Sequence, residues 1–112
     1  MRATFLLASA LALSGCLAMP PEPPVSITSH AVTAADYPAE SVRIHEQGAT
    51  RLSYVVLADG SVAQLKILDS SGSPRLDQAA EELVRKWRFK PAMQNGAPVT
   101  WREIVNVAFV LN

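Results

Sequence analysis

The sequence has few of the residues that support catalysis or metal binding. It contains one cysteine and two histidines in 112 residues, and its ten Lys and Arg residues are balanced by ten Asp and Glu residues. A single cysteine cannot close an internal disulfide bond. The zero formal charge argues against a partner bound mainly through phosphate groups, because such binding needs a basic surface. The length excludes a multidomain enzyme, so one small domain remains.

The only long hydrophobic run lies at the N-terminus. Arg2 precedes an apolar stretch over residues 5–13, and Leu-Ser-Gly then leads to Cys16. This order of charge, apolar core and small residues is typical of an export signal, so we predict a signal peptide over residues 1–15 and exclude it from the fold. The alternatives to a signal that is cleaved just before Cys16 are an ordinary signal peptide, in which the cysteine occurs by chance, and an uncleaved membrane anchor.

The string Leu-Ser-Gly-Cys resembles the lipobox of bacterial lipoproteins. The resemblance implies that the Cys16 thiol receives a diacylglycerol and that cleavage leaves this cysteine as the first residue. Acyl chains then hold the protein on a membrane, because each buried methylene contributes about 0.8 kcal/mol. Leu17 stands where an Asp would resemble an inner-membrane retention signal, so we expect the outer membrane rather than the inner.

Residues 16–36 are predicted to form a proline-rich tether. Four prolines fall in the five positions from Pro20 to Pro24, and neither helical nor strand periodicity is present. An extended chain of this kind rises about 3.1 Å per residue, so the tether would reach roughly 60 Å from the membrane. His30 lies in it with no neighbouring ligand candidate. The predicted domain follows over residues 37–112.

Two helices are predicted in this domain. Asp36 would cap a short helix that begins at Pro38, fills residues 39–45 and ends at Gly48. A longer amphipathic helix has Ser73 as its cap, or has its regular part begin at Asp77. Its apolar stripe reaches Trp87, its acidic residues crowd the first half and its basic residues the end, as the helix dipole favours, before Pro91 forbids continuation.

Three strands are predicted around the longer helix. Residues 50–58 and 61–69 are rich in β-branched and apolar side chains, and Asp59-Gly60 between them favours a tight hairpin turn in which both central residues take a positive φ. Residues 92–98 are predicted to be a loop, and residues 100–111 alternate as the third strand. These elements predict an α+β fold.

The predicted sheet is small, three-stranded and antiparallel. A right-handed crossover that skips one position places the third strand beside the first, which gives the order 2-1-3 with the helices on one face. The predicted core is modest for about 75 ordered residues. Its members are Leu52, Tyr54, Val56, Leu65, Ile67, Leu76, Leu83, Val84, Trp87, Val107 and Phe109.

The order of short motifs over residues 37–112 resembles the TonB C-terminal domain family. The motifs are Tyr37-Pro38, Asp59-Gly60, Leu76-Asp77, Trp87-Arg88-Phe89-Lys90-Pro91-Ala92 and Val107-Ala108-Phe109. The resemblance implies a non-enzymatic, periplasm-facing domain that contacts outer-membrane transporters in energy-coupled transport, with an extended partner peptide added to a sheet edge. The energy transducers of that family have an uncleaved transmembrane helix and a long spacer, so the resemblance does not assign a power source.

The third strand is the predicted partner-binding edge. The second strand, the other edge, carries Lys66 outward and is better protected. The same third-strand edge could pair two copies in a homodimer. The predicted partner-binding residues alternate on the less buried side of the third strand and are Arg102, Ile104, Asn106, Ala108 and Val110.

Functions of different classes stay open at this point. One is a lipid-anchored interaction module, and another is a short energy transducer whose signal remains as an anchor. A lipoprotein adaptor for envelope assembly unrelated to transport is a further alternative. We predict no enzyme, cofactor, metal or nucleic-acid partner, because no His or acidic pair has metal-ligand spacing and Ser70, Ser71 and Ser73 suit a turn.

Overall fold

The computed structural model describes residues 19–111, so the predicted signal peptide and Cys16 lie outside the described residues. The helices are α1 (Ala39–Arg43) and α2 (Pro74–Arg85). None of the helices in this part of the chain is long and apolar enough to cross a membrane. The strands are β1 (Val25–Thr28), β2 (Gly48–Val56), β3 (Val62–Asp69), β4 (Arg88–Lys90), β5 (Ala92–Gln94), β6 (Ala97–Val99) and β7 (Trp101–Phe109).

The fold is α+β, as predicted, and its strands form three antiparallel sheets. The three long strands lie in the order β3-β2-β7, while β1 pairs with β4 and β5 pairs with β6. A single three-stranded sheet is therefore an incomplete description. The four short strands occupy segments for which the sequence predicts a tether, the end of a helix and a loop.

The hydrophobic core lies between α2 and one face of the β3-β2-β7 sheet. Full burial of a large apolar side chain stabilises the fold by about 1.5–3 kcal/mol. Leu65 and Ile67, predicted in the core, are only partly buried because β3 is an edge strand, whereas Phe89 and Ala92 are buried without having been predicted so. The fully buried apolar residues include Leu52, Val56, Leu76, Val84 and Phe109.

Helix α1 is shorter than predicted, and Asp36 does not cap it. Its N-cap is Pro38, which makes no side-chain capping bond. The Asp36 carboxylate instead accepts hydrogen bonds from the Thr33 N–H at 2.9 Å and the Thr33 hydroxyl at 2.8 Å. The helix ends before His45, whose φ of 58° is left-handed, and not at Gly48.

Helix α2 begins as predicted and ends earlier. Ser73 is its N-cap, and Ser73 Oγ accepts a hydrogen bond from the Leu76 N–H at 3.4 Å. The helix stops before Trp87 because the next residues pair with β1 as β4 and the Phe89 N–H donates to the Gly60 carbonyl oxygen at 2.9 Å. Tertiary hydrogen bonds thus replace the last predicted helical turn.

The Asp59-Gly60 turn and the predicted loop over residues 92–98 both differ from their predictions. In Asp59-Gly60 only Gly60 has a positive φ, of 86°, because the Asp59 carboxylate accepts the Ser61 N–H at 2.9 Å and shapes a longer turn. The predicted loop over residues 92–98 is instead the β5–β6 hairpin. Its Asn95-Gly96 turn has φ values of 50° and 80°, the paired positive values of a two-residue turn.

The described part of the predicted tether is bound to the domain and ends in a turn at residues 34–36. It contains β1, and the backbone of Glu22 bonds that of Met93 at 2.8 and 3.0 Å. His30, predicted to lack a neighbour, places Nε2 3.1 Å from Asp36 Oδ2. These residues therefore do not form a free tether along their whole length.

Candidate functional site

Four of the five predicted partner-binding residues lie on β7, at one edge of the three-stranded sheet. They face away from α2, because the intervening residues Val107 and Phe109 are buried against that helix. Val110 follows the end of the strand and is 66% exposed. The other four are also exposed and are Arg102, Ile104, Asn106 and Ala108.

The backbone of β7 offers hydrogen-bonding groups at its open side. The Leu57 N–H donates to the Ser61 carbonyl at 2.8 Å in the β2–β3 hairpin, so odd-numbered residues of β2 direct their N–H and C=O groups toward β3. Even-numbered residues of β2 then bond to β7, where their partners are the odd-numbered residues from Trp101 to Phe109. The even-numbered residues over 102–108 are left with N–H and C=O groups that point away from the sheet.

The C-terminal end of β7 is held by residues near α1. The Leu111 N–H donates to Gln47 Oε1 at 2.8 Å, which agrees with odd-numbered groups pointing toward β2. The Tyr37 and Phe109 rings meet edge-on with centroids 5.4 Å apart, and the Tyr37 hydroxyl donates to the Glu46 carbonyl. Burial and the Glu46 carboxylate raise the Tyr37 pKa, so this hydroxyl keeps its proton at neutral pH.

The two edges of the sheet differ in regularity. Nine consecutive residue pairs join β2 to β7 without a register shift. The β2–β3 pairing has two register shifts, Gln64 takes a left-handed φ of 51°, and Lys66 is exposed. Bulges and lysines are features by which edge strands resist pairing with another chain, so β7 is the better template for an added strand.

A cavity of about 430 Å³ lies along the open side of β7. Residues 105–108 line it, and because successive strand residues point to opposite faces, a cavity that touches all four lies against the strand edge. Leu83 of α2 and Trp87, which follows that helix, contribute to the lining, and residues 29–32 form the opposite wall. Its volume falls in the range of ligand-binding pockets.

The wall formed by residues 29–32 covers the β7 edge without pairing to it. Within residues 19–111, no backbone hydrogen bond joins this wall to β7. Val32 is half-buried against the core, and the turn after it is closed by Asp36, which bonds Thr33 and His30. Burial raises the Asp36 pKa, but the bonds from Thr33 and His30 outweigh it, so the pKa is lowered and the carboxylate stays ionised.

Trp87 lines the cavity and has a buried side-chain donor. Its side chain is 7% exposed, and its Nε1–H has no acceptor in the part of the chain that the structure describes. An unpaired buried N–H costs about 1–3 kcal/mol. The sequence predicts Trp87 only as a core residue, and no local pattern links it to β7.

The serines before α2 are engaged in a structural network, as predicted from their turn position. Asp77 Oδ1 accepts the Thr50 hydroxyl at 2.8 Å and the Ser71 N–H at 2.8 Å, and Asp77 Oδ2 accepts the Ser70 hydroxyl. Burial raises the Asp77 pKa, but these hydrogen bonds prevail and lower it to about 2. Between residues 19 and 111, no three His, Cys, Asp or Glu side chains cluster as a metal site.

Known proteins resemble most of the described chain. The family described as Gram-negative bacterial TonB protein C-terminal matches residues 33–111. The chain is 37% identical to Protein tonB2 of Pseudomonas aeruginosa over 79 residues, which are 70% of this chain and 29% of that protein. It is 35% identical to Protein TonB of Xanthomonas campestris pv. campestris over 88 residues, or 79% of this chain and 40% of that protein. The chain thus spans less than half the length of these relatives.

Two solved structures share the fold. The solution NMR structure of Pseudomonas aeruginosa TonB CTD has a TM-score of 0.59 and 21% identity, with 84% of each chain covered. The NMR structure of Helicobacter pylori TonB-CTD has a TM-score of 0.51 and 24% identity, with 68% of each chain covered. At these identities the likeness establishes the α+β fold alone.

Proposed function

Since the chain belongs to the Gram-negative bacterial TonB protein C-terminal family, we propose that it is a periplasm-facing interaction module of the cell envelope that serves energy-coupled transport. Its partner is an envelope protein, an outer-membrane transporter in particular, that presents an extended peptide. The peptide adds a strand to the free edge of β7. No catalytic step is part of this function.

The observation that carries the proposal is the outward orientation of the backbone at the even-numbered residues over 102–108. A strand added at the usual spacing of about 4.8 Å would pair with these groups within the edge cavity. Each hydrogen bond formed would contribute about 0.5–1.5 kcal/mol net. Side chains of the peptide would contact Arg102 and Ile104, which is 51% exposed on the outer face.

The wall at residues 29–32 stands where the peptide would enter. It makes no backbone pairs with β7 within the described residues, so its displacement breaks no sheet hydrogen bond. The contacts to be given up are the packing of Val32 and the bonds at Asp36. We propose that peptide binding moves this wall aside. The Asp36 contacts, which hold the wall in place, would then limit how readily a peptide reaches the edge.

The anchor of the domain is a separate part of the proposal. We propose that Cys16 is acylated and that the protein sits on a membrane, the outer membrane in preference to the inner. Mass spectrometry of the purified N-terminus should find an acylated Cys16 as the first residue. Intact Met1 in the membrane fraction would instead support the short transducer with an uncleaved anchor.

Site-specific crosslinking in living cells tests the peptide-binding edge. A photoreactive residue at Ile104 should crosslink to an envelope protein, and mass spectrometry should place the crosslink in an extended segment. The matched control is the same residue at Lys66, which is exposed on the opposite edge strand. Equal crosslinking from both positions would reject β7 as the binding edge. Crosslinks only to assembly factors would favour the adaptor function over transport.

The same free edge supports one competing association. Two copies could pair β7 with β7, because an antiparallel strand pair can be symmetric. Light scattering at two concentrations distinguishes this homodimer from a monomer that awaits its partner. A crosslink from Ile104 to a second copy of the chain would identify the interface.

A further inference from the structure

The chain has no net charge, but its cations are concentrated at one place. Four of the ten Lys and Arg residues fall within six positions, at the end of α2 and in β4. All four are exposed, and they are Arg85, Lys86, Arg88 and Lys90. The chain therefore has a local basic surface, although its total charge is zero.

The pairing of β1 with β4 shows what lies beside these cations. In β4 only Phe89 is buried, so its neighbours Arg88 and Lys90 point outward, and all four residues of β1 are exposed. Val25 is opposite Lys90 and therefore shares the outward face. Val25 is 60% exposed and Ile27 is 67% exposed. We use the name basic apolar face for these exposed residues together: Val25 and Ile27 of β1, and the four cations that run from the end of α2 into β4, the strand with which β1 pairs.

The cations of this face are not neutralised by neighbours. In the part of the chain that the structure describes, none of them has a carboxylate oxygen within 4.0 Å. The Arg88 guanidinium donates to the carbonyl oxygens of Arg85 and Trp87 at 3.2 and 2.8 Å. Asp59 is the nearby acidic residue: its pKa is lowered mainly by hydrogen bonds from Ser61, and the charge of Arg88 makes a minor contribution. The charge of the face is thus available to an anionic partner.

The described chain begins beside this face. Met19 is 59% exposed and lines a cavity of about 220 Å³ together with Lys90. Cys16 precedes Met19 by three residues, which span at most about 10 Å of extended chain. If Cys16 is acylated, the basic apolar face lies closer to the lipid surface than its separation in sequence suggests.

We propose that the basic apolar face lies on the surface of an anionic phospholipid bilayer. The cations contact phosphate-bearing headgroups, and Val25 and Ile27 enter the interfacial region. This orientation rests on the proposed lipid anchor, and the basic patch would add to the membrane affinity that the acyl chains supply. It sets the domain against the membrane instead of at the end of a free tether.

Vesicle binding by unacylated protein tests the face separately from the anchor. The protein used is the chain from residue 16 with Cys16→Ser, which contains every described residue and cannot be acylated. It should bind vesicles of phosphatidylcholine with about a third phosphatidylglycerol at least 10-fold more tightly than vesicles of phosphatidylcholine alone. The binding should weaken as salt rises, because screening shortens the range of the charges.

A pair of charge-matched variants decides whether the face is responsible. Lys86→Gln with Lys90→Gln should weaken binding to the anionic vesicles about 30-fold. Arg43→Gln with Lys66→Gln changes the net charge equally at other exposed positions and should weaken it less than 3-fold. Equal losses in the two double variants, or equal binding to both kinds of vesicle, would overturn the proposal. Acylation and crosslinking at Ile104 are measured independently, so their failure is distinguishable from this one.

Discussion

Proline scanning of β7 can separate the backbone groups that hold the sheet from those left for a partner. Asn106 is in the outward set, so proline there removes an N–H that bonds nothing in β2. Edge strands accept proline where the N–H faces solvent, and the cost to stability should stay below about 1 kcal/mol. Val107 is opposite Thr50 in the inward set, so Val107→Pro removes a ladder hydrogen bond and leaves its acceptor in β2 unpaired, which should cost about 1–3 kcal/mol in addition to the lost packing of the valine.

Partner binding should show the opposite pattern. Asn106→Pro deletes a hydrogen bond to the added strand, worth about 0.5–1.5 kcal/mol, and its ring obstructs the approach of that strand. A total near 2 kcal/mol corresponds to about a 30-fold weaker affinity. Asn106→Ala keeps the N–H, so this control should bind within about 3-fold of the original chain.

The two quantities can be measured on the same proteins. Urea unfolding followed by circular dichroism gives the stability of each variant, and Val107→Ala corrects for the side chain that is lost in Val107→Pro. Crosslink yield from Ile104 gives the relative partner binding. Asn106→Pro that unfolds as easily as Val107→Pro would refute the assigned backbone alternation. Undiminished crosslinking in a folded Asn106→Pro protein would refute strand addition at β7.

Three further predictions concern stability and access. The Asp77 pKa of about 2 lies below the ordinary value of an aspartate, 3.8, so the stability from this carboxylate is present above pH 4 and disappears as pH falls from about 4 to 2. After allowance for solvent screening, Asp77→Asn should cost about 1–2 kcal/mol in urea unfolding at pH 7, and the difference from the original chain should vanish near pH 2. Gly60→Ala should destabilise the fold by at least about 2 kcal/mol more than Gly96→Ala. Both glycines have a positive φ, but only at Gly60 would an added Cβ lie 2.0 Å from the Phe89 carbonyl oxygen. Equal unfolding midpoints for the two variants would disprove this. Asp36→Ala should free the wall over the β7 edge, seen as faster amide exchange at residues 29–33 and higher crosslink yield, and an unchanged yield would argue against displacement of the wall.

Local signals in the sequence predict those parts of the fold that depend on neighbouring residues. Ser73 followed by Pro74 predicts the start of α2, since an N-cap hydroxyl and a proline without an N–H both suit that position. The failures occur where distant segments compete for the same groups. Trp87 continues the helical period, but pairing of β4 with β1 ends the helix first.

The candidate site is only partly accessible to sequence reasoning. Alternation along the last strand predicts which side chains are exposed, as the exposure of Ile104 and Asn106 illustrates. It does not show which backbone groups are free, because that depends on the register with β2 and on the β2–β3 turn. The wall at residues 29–32 has no sequence signal, since its position follows from the β1–β4 pairing and from the Asp36 contacts.

The wall at residues 29–32 also bears on how the protein avoids self-assembly. A regular nine-residue strand with an unpaired side is a template on which copies of a protein can polymerise, and the risk grows in a crowded compartment. The wall covers this side without bonding to it. It therefore keeps other chains from pairing with β7 and leaves the outward N–H and C=O groups of the strand available to a partner. Variants that loosen the wall should therefore be limited by solubility and aggregate at lower protein concentrations.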